Sequence, residues 1–207
     1  MKTIDYNHQL DLLVPFVKQK FPEFELNEED KRIYSLVLKY FYSDPQFEQE
    51  TPSFSLKKGL MIRGNVGAGK TMLMRSILDF FFSTYNIRPF VIKSCTSLNV
   101  DFMKNGSETV EKNTWKSFSY SQKKPVSVCF DDLGVEMLNS SHYSNKINLM
   151  QMVLLGRYEL FIENGMKTFI TTNLIGDDIE ERYGYRVRSR LREMCNDIPY
   201  KGEDRRK

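Results

Sequence analysis

The strongest constraint on this chain lies between Met61 and Ser76, in MIRGNVGAGKTMLMRS. Gly64, Gly69, Lys70 and Thr71 satisfy the spacing G-x-x-x-x-G-K-[ST], with an additional Gly67 and a small Ala68 inside it. Glycines let the backbone curl until successive N–H groups converge on an anion, and a helix that starts at Lys70 adds its positive end. That chemistry needs a strand in front and a helix behind. Gly59–Arg63 reads as the strand and Lys70–Tyr85 as the helix. The expected phosphate-contacting set is Gly64, Asn65, Val66, Gly67, Ala68, Gly69, Lys70, Thr71 and Met72. In ATP chemistry Lys70 reaches the β- and γ-phosphates and the Thr71 hydroxyl holds Mg2+.

Around this loop, strand and helix patterns alternate. Phe90–Cys95, Val126–Phe130 and Lys167–Thr171 read as strands, and a last short one lies near Ile198–Tyr200. Helical spacing is expected over 145–163 and 177–193, and from the Asn27 cap onward through Ile33, Leu36, Val37, Tyr40 and Phe41. Residues 43–58 read as a loop and 97–124 as mixed, partly helical. The fold class is therefore α/β, a parallel sheet covered by helices on both faces. Residues 1–26, with Pro15 and Pro22, form a short lead-in and 27–207 the main domain.

Two further stretches sit where ligands bind in parallel sheets, at the carboxyl ends of strands. In VSVCFDDLG, Asp131 and Asp132 close an apolar strand. Adjacent carboxylates repel unless a cation lies near them, so Asp131 is assigned to Mg2+ through water and Asp132 to polarising an attacking water. In TFITTNL, Asn173 follows a buried strand and is placed to orient water against a γ-phosphate. The segment EERYGYRVRSRLREMC carries Arg182, Arg186, Arg188, Arg190 and Arg192. On a helix Arg186 stacks with Arg190, and Arg188 with Arg192, at i,i+4. Either anions lie opposite them, in this chain or on a neighbouring subunit's triphosphate, or they form a solvated basic face.

Composition narrows the class without choosing the partner. The net charge of +3 says little about nucleic acid, although Arg205, Arg206 and Lys207 add to a basic C-terminal half. The apolar runs fall far short of a membrane span, and the N-terminus has no export core. Cys95, Cys129 and Cys195 are scattered, as in a reducing cytosol, so a cytoplasmic protein with no membrane contact is expected. Lys104, Lys112, Trp115 and Lys116, with Phe118, Tyr120, Lys123 and Lys124, interleave base with aromatic rings. Such a stretch suits single-stranded DNA, where rings stack on bases and lysines track phosphates. It suits an amphipathic insertion packed on the core equally well.

Taken in order, GNVGAGKT, FDDLG, RYELF, FITTNL and ERYGYRVRSRLREM resemble DnaC/DnaI-type helicase loaders and IstB-type transposition ATPases of the AAA+ class. The resemblance covers roughly residues 28–206. It implies a P-loop NTPase fold of the AAA+ type, with Thr71 and Asp131 on magnesium, Asn173 as a sensor and Arg190 as an arginine finger supplied in trans. Arg186 becomes a second arginine near the nucleotide, and Arg157 is either a family arginine or one half of a structural ion pair. It also implies a homo-oligomeric spiral or ring, with DNA and a replicative helicase or transposase as partners.

Two departures stand out. Asp132 occupies a position where glutamate is usual, which implies slow hydrolysis. The residues after Asn173 leave no room for a full helical lid. The expected function is an ATP-dependent replication accessory protein of the loader type. The alternatives are an IstB-like transposition helper, a small-molecule kinase, and a module that binds ATP without hydrolysing it.

Overall fold

The computed structural model describes residues 4–119, 123–138, 140–142, 145–202 and 204–205. Two compact units emerge. One comprises Lys57–Arg63 with Phe90–Ile198; the other comprises Met1–Leu56, Gly64–Pro89 and Pro199–Lys207.

The first of these holds the sheet. Strands β1 (Gly59–Arg63), β2 (Val91–Ser94), β3 (Val128–Leu133), β6 (Thr168–Thr172) and β7 (Cys195–Pro199) lie in the order β2-β3-β6-β1-β7. The pairs β2–β3, β3–β6 and β1–β6 are parallel. Strand β6 is buried along its whole length, as a central parallel strand with two covered faces must be. A Cβ on Gly59 would lie 1.8 Å from the Thr168 carbonyl oxygen, so only glycine lets β1 come this close to β6.

Helices α5 (Cys95–Asn105), α6 (Ser107–Asn113), α7 (Leu149–Asn164), α8 (Gly176–Tyr183) and α9 (Tyr185–Met194) belong to the same unit. Leu98, Phe102, Phe130, Val153, Leu154, Ile170, Val187 and Leu191 bury together in one core. Each fully buried side chain of this size contributes roughly 1.5–3 kcal/mol.

The second unit is helical: α1 (Tyr6–Lys18), α2 (Glu28–Phe41), α3 (Gln46–Gln49) and α4 (Lys70–Tyr85). Asn27 and Asp30 start α2 with a reciprocal cap, each side chain accepting the other's backbone N–H at 2.9 Å. Leu13 and Val17 of α1 are fully buried, as are Ile33 and Val37 of α2 and Leu73 and Ile77 of α4. Phe16 meets Phe80 edge to face at 5.8 Å.

The structure corrects three expectations. The helix expected over 145–163 begins only at Leu149, capped by Asn148. Before it a short antiparallel hairpin pairs β4 (Ser140–His142) with β5 (Asn145–Ile147). The helix expected over 177–193 breaks at Gly184, whose φ of 86° and ψ of 157° suit neither α8 nor α9. The loop expected over 43–58 contains the single turn α3. Among the described residues, no helix is long and apolar enough to cross a membrane.

Candidate functional site

The phosphate loop belongs to the helical unit. Gly67 (φ 79°) and Gly69 (φ 96°) occupy the left-handed region, where a side chain costs energy, and Gly69 then starts α4. Ala68 N–H donates to the Asn65 carbonyl at 3.3 Å, closing the turn, and Leu73 N–H reaches Gly69 at 2.9 Å to close the first helical turn. Lys70 is only 6% exposed, and its ammonium folds back to donate to the carbonyls of Gly64 at 2.8 Å and Asn65 at 2.7 Å. Ala68 and Met72 are buried, Thr71 is half-buried, and Asn65 and Val66 are exposed. Backbone that only glycine adopts easily, a helix N-terminus and an ammonium held on loop carbonyls fit a polyphosphate.

The acids belong to the sheet unit. Both lie at the C-terminal end of β3, as expected, although the strand runs on through them to Leu133 and not only to Phe130. The pairing of β3 with β6 shifts between Phe130 and Leu133, and Asp132 takes a φ of 57°. Asp131 is buried while Asp132 is exposed, so the neighbouring carboxylates diverge. Thr171 joins both: its hydroxyl donates to Asp131 Oδ1 at 2.6 Å and accepts the Asp132 N–H at 2.9 Å.

Thr172 does the same for the strand ends, donating to the Leu133 carbonyl at 2.6 Å and accepting the Leu174 N–H at 3.1 Å. Leu133 and Arg63 both pair with Thr172, so β1, β3 and β6 end at one level and exposed Asn173 follows immediately. A buried carboxylate braced by a hydroxyl fits a magnesium site reached through water.

The arginines lie on α9 or beside it. Arg188 pairs with Asp177 at 2.9 Å and Glu180 at 2.6 Å. Arg190 donates to the Tyr158 hydroxyl at 3.0 Å and to Glu193 at 3.1 Å, and lies 4.3 Å over the Tyr158 ring. Tyr158 in turn donates to Glu193 at 2.6 Å, and this bond holds the Glu193 carboxyl below the usual range. Intrachain acids thus answer two of the four stacked charges. Arg186 and Arg192 are exposed, and Arg186 shares a small pocket of about 100 Å³ with Leu155, Tyr158, Glu159 and Arg190. Arg157 is fully buried and makes no ion pair with a carboxylate among the described residues. It donates instead to Thr168 Oγ1 and to the carbonyls of Asn113, Val126 and Lys167.

Two residues carry more than their sequence context reveals. Thr171 is one, since its role depends on β3 and β6 being neighbours. Glu136 is the other. It is buried, accepts the Gly134 N–H at 2.8 Å and the Tyr183 hydroxyl, and its carbonyl accepts from Arg182. Burial first, and the Glu136 charge second, push the Tyr183 hydroxyl far up.

Lys104, Lys112, Trp115 and Lys116 are all exposed, so the core-packed alternative fails for Trp115. Lys112 pairs with Glu108 at 2.8 Å and Lys116 with Glu111 at 2.5 Å, which reduces the basic character of the patch. Tyr120, Arg206 and Lys207 lie outside the described residues.

A parallel α/β sheet that carries a glycine-rich phosphate loop after one strand and an acidic pair on another is the P-loop NTPase fold. Solved structures place it more narrowly. The DnaC helicase loader is similar with a TM-score of 0.56 and 21% identity, covering 87% of this chain and 95% of that one. DnaI gives 0.56 and 18%, covering 90% and 93%. A candidate primosome component from Streptococcus pyogenes serotype M3 gives 0.56 and 20%, covering 87% and 84%. The chain therefore has the fold of the DnaC/DnaI helicase loaders. No family model and no curated protein matches the sequence.

Proposed function

We propose that this protein is an ATP-dependent replication accessory factor of the helicase-loader type, which binds ATP with Mg2+ and hydrolyses it slowly. The observation that carries this reading is the phosphate loop, with Gly67 and Gly69 in left-handed backbone and the Lys70 ammonium held on loop carbonyls. The fold shared with DnaC and DnaI supports it, as does the similarity to DnaA of Aquifex aeolicus, solved bound to AMPPCP, at a TM-score of 0.53 and 16% identity.

Lys70 and the loop amides hold the phosphates. Thr71 and Asp131 would hold Mg2+, which neutralises charge on the phosphate oxygens when bound. Asp132, exposed beside the braced Asp131, takes the role of polarising water, and Asn173 orients it. Arg190 and Arg186 serve a neighbouring subunit's nucleotide, for which Arg190 must leave Tyr158 and Glu193. DNA follows the exposed face of Lys104 and Trp115.

Turnover measured with and without single-stranded DNA tests the reading. We expect slow hydrolysis that DNA stimulates and Lys70→Ala abolishes. Phosphate appearing on a metabolite would overturn it in favour of a kinase. Mixing Arg190→Ala with Lys70→Ala subunits should restore part of the activity. No recovery in the mixture removes the support for an arginine acting in trans.

A further inference from the structure

Within the helical unit, the segment after β7 lies along the phosphate loop. A Cβ on Gly64 would sit 2.1 Å from the Tyr200 carbonyl oxygen, and one on Gly202 would sit 2.8 Å from the Ala68 carbonyl oxygen. A Cβ on Gly67 would sit 1.9 Å from Asp204 Oδ1. Arg205 N–H reaches the Gly67 carbonyl at 3.3 Å. Loop and segment therefore touch at Gly64, Gly67 and Ala68, closely enough that glycines are needed on one side or the other.

The segment is anchored, not merely resting there. Asp30, in the first turn of α2, is fully buried. Its carboxylate accepts from the Tyr200 hydroxyl at 2.5 Å and from Arg205 Nη2 at 2.5 Å to both oxygens. Arg205 also lies 4.8 Å over the Phe24 ring. A charge pair with one partner fully buried holds firmly, because separating the two strands a carboxylate without water.

We propose that residues 200–202, with Asp204 and Arg205, form a strap that closes the phosphate loop against nucleotide, with Asp30–Arg205 as its latch and the Asp204 carboxylate as its blocking charge. This inference rests on the nucleotide-binding reading given above. The physical basis is a contest of like charges. A loop shaped to gather phosphate oxygens carries the exposed Asp204 carboxylate against Gly67, and any incoming triphosphate meets that charge at short range. Opening the strap removes the repulsion and uncovers the loop amides.

Two measurements test it on the full chain. The first is Mg-ATP affinity of the unaltered chain and of Asp204→Asn, which keeps the shape and the latch but removes the charge. We expect about tenfold tighter binding by the variant. Equal or weaker binding by Asp204→Asn overturns the strap as a barrier while the nucleotide reading stands.

The second is amide hydrogen exchange over residues 64–69 without nucleotide, in the unaltered chain and in Arg205→Ala and Arg205→Lys. We expect exchange to accelerate at these residues when the latch is cut, and to be partly restored by lysine. Unchanged exchange in Arg205→Ala, with the chain still folded, overturns the latch. If neither the unaltered chain nor Asp204→Asn binds nucleotide, the nucleotide reading falls and the barrier with it. Accelerated exchange would then mark the strap as a structural cover only.

Discussion

Arg157 is fully buried and spends its donors on uncharged oxygens: one hydroxyl and three backbone carbonyls from separate segments. Burial draws its guanidinium down to about 10, below the ordinary arginine range. Replacing it with methionine leaves those carbonyls unpaired, and we expect a loss of about 3–5 kcal/mol in urea unfolding. The pH dependence has a definite sign. The folded chain releases this proton more readily than the unfolded chain, so this group makes stability rise as pH climbs past about 10. Arg157→Met should show less of that rise when the two are compared at pH 9 and pH 11. From RYELF alone, an ion pair was as reasonable as any other role, because backbone carbonyls leave no trace in a sequence.

Thr171 is hidden in a similar way. Its strand was legible, but its grip on Asp131 and Asp132 exists only once β3 and β6 lie side by side. Thr171→Val should lower Mg-dependent ATP turnover about tenfold or more, with Thr171→Ser close to the unaltered chain.

Among the elements, those with a strong local code were read well. Strand β1 and helix α4 fall where glycine spacing and apolar periodicity put them. The α8–α9 break was missed because charge periodicity runs straight across it. Gly184 alone marks the stop, and a single glycine does not distinguish a break from a tolerated interior residue. The junction is held from the start of α7, where the capping Asn148 donates from Nδ2 to the Arg182 carbonyl at 2.9 Å and Gln151 from Nε2 to the Tyr183 carbonyl at 2.8 Å. An added Cβ at Gly184 would still be 3.6 Å from Gln151 Nε2, so the penalty there is backbone strain, not crowding. Gly184→Ala should cost about 1–3 kcal/mol in thermal or urea unfolding. The β4–β5 hairpin escaped because its polar residues carry neither the strand nor the helix period.

For the molecule as a whole, the alternation of strands and helices fixed the α/β class, while the grouping of segments into two units was not legible. Grouping depends on contacts between distant parts of the chain, such as Arg205 with Asp30. All three cysteines are buried, as thiols outside any disulfide among the described residues. Burial pushes the Cys195 thiol up to about 12 and the Cys95 thiol well above its ordinary value. An alkylating reagent at pH 8 should therefore leave both unmodified in the native chain and label them after denaturation. Fast labelling of Cys195 in the folded protein would contradict this packing.

The chain passes between its two units four times, at Leu56/Lys57, Arg63/Gly64, Pro89/Phe90 and Ile198/Pro199. Neither unit is a continuous stretch of sequence, so no single recombination junction can transplant one without severing the other. A split-protein experiment that divides the chain at any one of these points should yield halves that regain structure only when both are present.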